Sequence, residues 1–330
     1  MFAGAFAVVV IAGATVLAVW PGDATRSPVR TEEPTSRPDE HGLPNDTEDG
    51  PAVTSGTQSQ YLLPGWLPHG VEPIQAMRFG DVPEVGGEVV AYGRADAEDP
   101  WDGSVLAAFH IAPSLDTFFG EGGTDGPPIG GRLSRMRQDA QGWLMEWSID
   151  GGLMVVRGIG VSREQVIAAA QAASVEPAID PAGLPDGLIE LVRGPVHAAL
   201  PWGDYTGSSM GLWVSYGDEA VGSEESTTML LKERRQGTAA VVDLFRLAYP
   251  ETRPVDIRGQ HAILGWDTTG FLALQWYEPS GLLVTLTAWG LTEDTLRRVA
   301  EELREPGSDK LERLLADHPA CPERGFWTEC

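Results

Sequence analysis

Two stretches of the chain carry the same alternation of apolar and polar positions. Trp143, Met145, Trp147 and Ile149 fall on one face of a period-two pattern, and Leu272, Leu274 and Trp276 repeat it at an offset of 129 residues. Each stretch runs into turn residues, Asp150-Gly151-Gly152 or Glu278-Pro279-Ser280-Gly281, and then into a second apolar run at 153–157 or 282–286. Turn chemistry between two such runs predicts an antiparallel hairpin in both places. The period then lengthens. Ser162 with Gln165 three positions on has the spacing of a capping box, and Thr292 is followed by Glu293 and Asp294, which suit the positive first turn of a helix. Val166, Ala170 and Ala173, and later Leu296, Ala300 and Leu303, recur at helical spacing behind those caps.

The hairpin-and-helix pattern is therefore duplicated. The two copies also open alike, with Leu67-Pro68-His69-Gly70 and Leu184-Pro185-Asp186-Gly187 as rigid turns. The openings are only 117 residues apart, so the second copy holds extra residues in its middle. An apolar stripe of Val241, Leu244, Phe245 and Ala248 predicts that they build a helix over 238–248, where the first copy has a glycine-rich loop at 120–131. The fold class expected is α+β: two tandem related units, 61–178 and 183–306, each an antiparallel sheet with helices packed on one face. A tail helix at 308–316 and a cysteine loop complete residues 307–330.

No charged residue occurs in positions 2–20, a length close to the roughly 20 residues that a helix needs to cross a bilayer. Residues 1–20 are read as a transmembrane anchor or signal segment. Val16-Leu17-Ala18 offers the small residues of a cleavage site, so secretion after cleavage near Ala18 stands beside a single-pass anchor. Arg26 and Arg30 lie on the far side of the apolar run, which by the positive-inside rule favours the opposite orientation. They are interleaved with acids in a Pro/Thr/acidic segment, 21–60, that reads as a disordered stalk. The basic residues expected before the run are missing, as they are where translation starts upstream of the first Met. The orientation expected puts the bulk of the chain outside the cytoplasmic membrane.

Charge narrows the partners. The formal net charge is -25, from 48 acidic and 23 basic residues, which argues against nucleic acid and disfavours anionic ligands. The two cysteines, Cys321 and Cys330, sit in the last ten residues, with no metal-site spacing around them, and outside the cytoplasm they are expected to bridge each other. Apparent catalytic motifs dissolve in context. Gly207-Ser208-Ser209-Met210-Gly211 fits a nucleophile elbow, but the residues after it alternate like a strand rather than entering a helix. Gly158-Ile159-Gly160 precedes a helix, yet Arg163 stands where a dinucleotide loop needs its third glycine. No cofactor or metal site is expected. Of the eleven tryptophans, Trp143, Trp147, Trp213 and Trp276 fall on core positions. Trp66, Trp101, Trp202, Trp266 and Trp289 lie near turns or glycines and are the candidate ligand platforms.

The Leu-Pro-x-Gly opening, a Pro-Val-Asp-Ile-Arg-Gly-Gln-His-Ala strand at 254–262, the tryptophan hairpin and the closing Gly-Leu-Thr-Glu-Asp-Thr-Leu helix resemble the uncharacterised extracytoplasmic domains of actinobacterial membrane proteins. Such domains are often attached to anti-sigma-factor-like anchors. The resemblance implies distant kinship with lipoprotein-carrier and sigma-regulator sensor folds and brings no catalytic residues. No zinc-binding domain of the anti-sigma type precedes the apolar run, which speaks against direct control of a sigma factor. The function expected is a membrane-tethered, non-catalytic sensor or binding module for an envelope protein, lipid or glycan. The alternatives are a cell-envelope hydrolase with an acid-pair site, drawing on Asp96, Glu98, Asp99, Asp218 or Glu219, or a structural partner of an envelope complex.

Overall fold

A computed structural model of the chain describes residues 61–79, 87–111, 123–173, 177–199, 211–218, 227–235 and 238–319. The expected anchor, the stalk, Trp202, Cys321 and Cys330 lie outside them, and no helix among the described residues is long and apolar enough to cross a membrane. The first copy of the duplication supplies strands β1 (Leu63–Pro64), β2 (Glu72–Phe79), β3 (Gly87–Arg94), β4 (Val105–Ile111), β5 (Thr124–Asp125), β6 (Ser134–Gln138), β7 (Gly142–Ile149) and β8 (Gly152–Ile159), then helix α1 (Arg163–Ala173). The second supplies β9 (Leu188–Pro195), α2 (Val196–Ala199), β10 (Gly211–Gly217), β11 (Thr228–Arg235), a 3-10 helix (Ala239–Leu247) and β12 (Glu251–Ile257). It continues with β13 (Gln260–Trp266), β14 (Leu272–Tyr277), β15 (Leu282–Trp289), α3 (Glu293–Glu301), β16 (Leu303–Arg304) and α4 (Ser308–Asp317).

The strands form two seven-stranded antiparallel sheets and a two-stranded ribbon of β1 with β16. The first sheet runs β5-β6-β7-β8-β4-β3-β9 and the second β12-β13-β14-β15-β11-β10-β2, so the two orders are the same except for where each opening strand goes. The opening strand of each copy, the one after its Leu-Pro-x-Gly turn, is exchanged. β2 pairs with β10, opposing Met77 to Trp213, and β9 pairs with β3, opposing Val192 to Ala91. Both exchanged ladders shift register at equivalent places, between Ala91 and Tyr92 on β3 and between Ser215 and Tyr216 on β10. Residues of each sequence unit thus complete the sheet of the other.

The duplicated hairpins form as expected. β7 and β8 join through Asp150-Gly151, where Gly151 takes φ +86°, and β14 and β15 join through a turn ending in Gly281 at φ +88°. The caps form too. Ser162 N–H donates to Gln165 Oε1 at 2.7 Å while Gln165 N–H donates to Ser162 Oγ at 3.3 Å, and Thr295 N–H donates to Thr292 Oγ1 at 3.3 Å. The stretch 254–262 is two strands rather than one. β12 and β13 are closed by Arg258-Gly259, both at positive φ (55° and 73°), with Asp256 Oδ1 accepting from Gly259 N–H at 3.1 Å. Arg258 tolerates that backbone because its guanidinium is held at the end of α3, donating to the carbonyls of Glu301 and Leu303 and pairing with Glu278.

Helices cover more than one face of each sheet. On the outside, α1 packs over Val90, Leu106, Trp147 and Val156 of the first sheet, and α3 and α4 pack over Val214, Leu231, Trp276 and Val284 of the second. The inner faces enclose a shared core in which Val89, Phe109 and Val155 of the first sheet join Ile263, Ala273 and Leu283 of the second. Between them lie α2 and the 3-10 helix, and Gln275 of β14 donates to the Ala198 carbonyl at 3.0 Å while accepting from Thr285. Central strands are buried on both sides as a result, which is why β10 and β8 read as near-continuous apolar runs.

The segment expected as a helix over 238–248 is a 3-10 helix capped by Thr238, whose Oγ1 accepts from Ala240 N–H at 3.3 Å. Runs of 3-10 helix this long are uncommon because their hydrogen bonds are poorly aligned. Packing compensates here. With three residues per turn, Val241, Leu244 and Leu247 form one ridge and Val242, Phe245 and Ala248 a second, all buried. Each large apolar side chain so buried contributes roughly 1.5–3 kcal/mol, and Gly194 of β9 leaves the space that Val241 and Leu244 fill.

Glu233 holds the chain where it enters the body. It is fully buried on β11, and its two oxygens accept from Leu62 N–H at 3.0 and 2.9 Å. Burial pushes its carboxyl well above the usual glutamate range, the Leu62 N–H opposes that, and Glu278 adds a smaller upward push. A carboxyl raised in the fold binds its proton more tightly there than in the unfolded chain. Stability is therefore greatest below the ordinary glutamate range and falls as pH rises toward the raised value. Glu233→Gln keeps an acceptor for Leu62 and removes the ionisation. The variant should melt higher than wild type at pH 8 and lose less melting temperature between pH 5 and pH 8; parallel pH profiles for the two proteins would contradict this account.

Candidate functional site

The β3–β4 loop folds back over the end of β3. Arg94 N–H donates to the Pro100 carbonyl at 3.1 Å, an approach that leaves no room for a Cβ at Gly93. Asp99 then does two jobs. Its Oδ1 accepts from Trp101 N–H at 3.0 Å, which fixes the tryptophan, and its Oδ2 takes Arg246 Nη1 of the 3-10 helix at 2.8 Å. Arg246 also pairs with Asp243 one 3-10 turn earlier at 3.3 Å, and Asp243 accepts His261 Nε2 at 3.1 Å. These contacts tie a loop of the first sheet to a helix and strand of the second. The guanidinium of Arg246 lies 5.9 Å from the centroid of the Trp101 ring.

On the other side the β6–β7 turn presents Gln141. Asp139 Oδ1 accepts from the backbone N–H groups of Gln141 and Gly142 at 2.8 and 3.0 Å, and Asp139 Oδ2 pairs with Arg157 Nη2 at 3.2 Å. Burial lowers Arg157 from its ordinary range and Asp139 opposes that shift, so the pair clamps the turn. The Gln141 amide nitrogen is buried and has no hydrogen-bond partner among the described residues.

Between these pieces lies a cleft of about 300 Å³, at the small end of ligand sites. Trp101, Asp102, Gln141 and Ile159 line it from the first sheet, and Arg246, Tyr249, Glu251 and Thr252 from the 3-10 helix and β12. Tyr249 is buried against Gly265 of β13, whose missing side chain makes room for the ring, and burial raises its phenol with a further push from Asp267. From Tyr249 an aromatic series continues to the surface. Its ring centroid lies 5.1 Å from Phe245 and 5.9 Å from Phe271, and Phe271 lies 6.5 Å from Trp289, which is 39% exposed.

The candidate tryptophans are thus not gathered at one place. Trp101 lines the cleft, and Trp289 ends the aromatic series that begins at its wall. Trp66 packs against the outer core of the second sheet beneath Arg298, whose guanidinium sits 3.8 Å from its ring centroid, and Trp266 packs against that same core. Trp147, Trp213 and Trp276 are buried as expected, and Trp143 is partly buried against the core under α1. Sequence reasoning missed Gln141, Arg246 and Tyr249. For Arg246 the available signal was its three-residue spacing from Asp243, which sets the two on one ridge of a 3-10 helix. Of the acids considered for hydrolysis, Asp96 is bound by Arg94, Asp99 by Arg246 and Trp101, and Asp218 by Thr227 N–H. Glu219 lies outside the described residues.

No family model and no curated protein matches the chain. Among solved structures it is similar to the crystal structure of MucB in complex with MucA(peri), at 10% identity over 68% of this chain and 94% of that one, with a TM-score of 0.18. It is likewise similar to the MucA/MucB complex of Pseudomonas aeruginosa, at 11% identity with the same coverages and a TM-score of 0.18. Scores this low carry no argument about fold or partner.

Proposed function

We propose that the chain is a non-catalytic binding module of the cell envelope, tethered by its N-terminal apolar segment, and that it takes its ligand in the cleft between the two sheets. The observation that carries this reading is the cleft itself, about 300 Å³, whose walls come from both sequence units and bring Trp101 and Gln141 together with Arg246 and Tyr249. The apolar run, the Pro/Thr/acidic segment after it and the cysteine pair support a position outside the cytoplasmic membrane, against the placement of Arg26 and Arg30.

One observation favours hydrolysis as a second reading, since Asp102 and Glu251 line the same cleft and glycoside cleavage uses two carboxylates. Both are solvent-exposed, however, whereas a general acid for that chemistry is made by burial. Binding is therefore the better-supported reading.

Three measurements check these statements. The small-molecule fraction of an envelope extract should raise the melting temperature of the full-length chain and leave Trp101→Ala and Gln141→Leu unmoved; no shift in the wild type would overturn the cleft as a ligand site. A membrane-impermeant maleimide, added to intact cells after an impermeant reductant, should label Cys321 and Cys330, and labelling that requires lysis would place the body in the cytoplasm. Incubation with envelope polysaccharide should release no reducing ends; release abolished by Asp102→Asn or Glu251→Gln would establish the hydrolase instead.

A further inference from the structure

We infer that the entry of the chain, residues 61–65, is a latch: it is docked on the second sheet while Glu233 is protonated and comes away when Glu233 ionises. Glu233 is fully buried on β11, and the Leu62 N–H, shared between its two oxygens at 3.0 and 2.9 Å, is its one hydrogen-bond donor among the described residues. No cation among those residues pairs with it either. A carboxylate so placed has given up its hydration for a single amide, whereas a neutral carboxyl keeps that amide and leaves no charge to solvate. Burial accordingly pushes the group well above the usual glutamate range. Because the Leu62 amide lies against both oxygens, removing Leu62 uncovers the carboxyl and lets water solvate the ionised form.

The entry can open without the body. Neither seven-stranded sheet uses β1, whose two residues pair only with β16, so it leaves with both large ladders intact. Its other ties are few: Gly65 N–H donates to the Glu302 carbonyl at 2.8 Å, and Leu62 and Leu63 are buried in the outer core. The groups around the acid do not offset its charge. Glu278, in the turn after β14, adds repulsion and is itself matched by Arg258, which also holds the Leu303 carbonyl of β16. Tyr216 of β10 and Tyr61 are phenols raised by burial and stay neutral near pH 7, and Arg78 and Arg235 act on Tyr61. At the ribbon, Arg298 and Arg304 pair with Glu302. Below the ordinary glutamate range the open and docked forms both hold the proton, and the latch has its full strength. Above that range only the docked form holds it, so opening rises with pH up to the raised value and levels there. The latch needs nothing from the cleft. Its consequence, a body that stands further from its anchor at higher pH, rests on the proposed tether, which the cysteine labelling tests separately.

The test is amide hydrogen exchange of the full-length chain between pH 5 and pH 8, read as protection factors so that the intrinsic rise of exchange with pH is removed. The Leu62 and Gly65 amides should be less protected than the ladder amides of β14 and β15 throughout, and should lose about tenfold or more in protection over that interval. Glu233→Gln keeps an acceptor for Leu62 and cannot ionise, so its Leu62 protection should not change with pH. Gly65→Ala places a Cβ 2.7 Å from the Glu302 carbonyl oxygen and forces β1 off β16. It should expose the Leu62 amide already at pH 5 while β14 and β15 stay as protected as in the wild type. Leu62 and Gly65 amides as protected as those of β14 and β15 at pH 8 would mean that the entry opens only with the whole body, and would overturn the latch. Leu62 protection that falls as steeply with pH in Glu233→Gln as in the wild type would overturn it too.

Discussion

The backbone ladders that join β2 to β10 and β9 to β3 are the constraint on which the rest depends. Each copy of the duplication sends its first strand into the other copy's sheet, so neither sheet is complete without residues from both. A free edge strand is a liability, and here the exchanged strands are also covered. The tail after α4 lies along β2, where Ala76 N–H donates to the His318 carbonyl at 2.6 Å, and the 3-10 helix packs on Gly194 of β9. Two related units that might have packed as beads are knitted into one body.

That knitting explains the middle layer. With the two sheets held face to face, whatever lies between them must be apolar on two sides. A 3-10 helix, with its three ridges, meets that demand: two ridges bury aliphatic and aromatic side chains in the shared core, and the third carries Asp243 and Arg246 toward the rim. Arg246 can then reach Asp99 on the far sheet, and the cleft opens beside that bridge. The contacts that run from His261 through Asp243 and Arg246 to Asp99 follow from where the exchange sets the two halves.

What was legible in the sequence was local. Period-two runs meeting at Asp150-Gly151 and near Gly281 form the hairpins, and Ser162 with Gln165 forms its capping box, because the forces involved act within a few residues. The α+β class, with its two large antiparallel sheets, follows from those elements. The exchange was not legible, because an alternating run such as β2 does not encode which distant strand it will meet. A signal did exist: Val90-Ala91-Tyr92-Gly93 and Val214-Ser215-Tyr216-Gly217 repeat across the copies and mark the two acceptor strands at their register shifts. The stripe Val241, Leu244, Phe245 and Ala248 fits periods of both 3.0 and 3.6, and burial on two sides selected the tighter helix. Proximity to turns led to Trp101 at the cleft, but Trp66 and Trp266, near turns as well, pack on a core instead. Position along the chain does not say on which side of a sheet a loop lands.

Residue-resolved amide hydrogen exchange on the intact chain tests the exchange of strands most directly. The ladder-bonded amides of β2 and β9 should exchange only through global unfolding, with the same free energy as those of β8 and β15 at the centres of the two sheets. Two separate openings, one confined to 61–178 and carrying β2 with it and the other confined to 183–306 and carrying β9, would contradict the interlocked body and the cleft that depends on it.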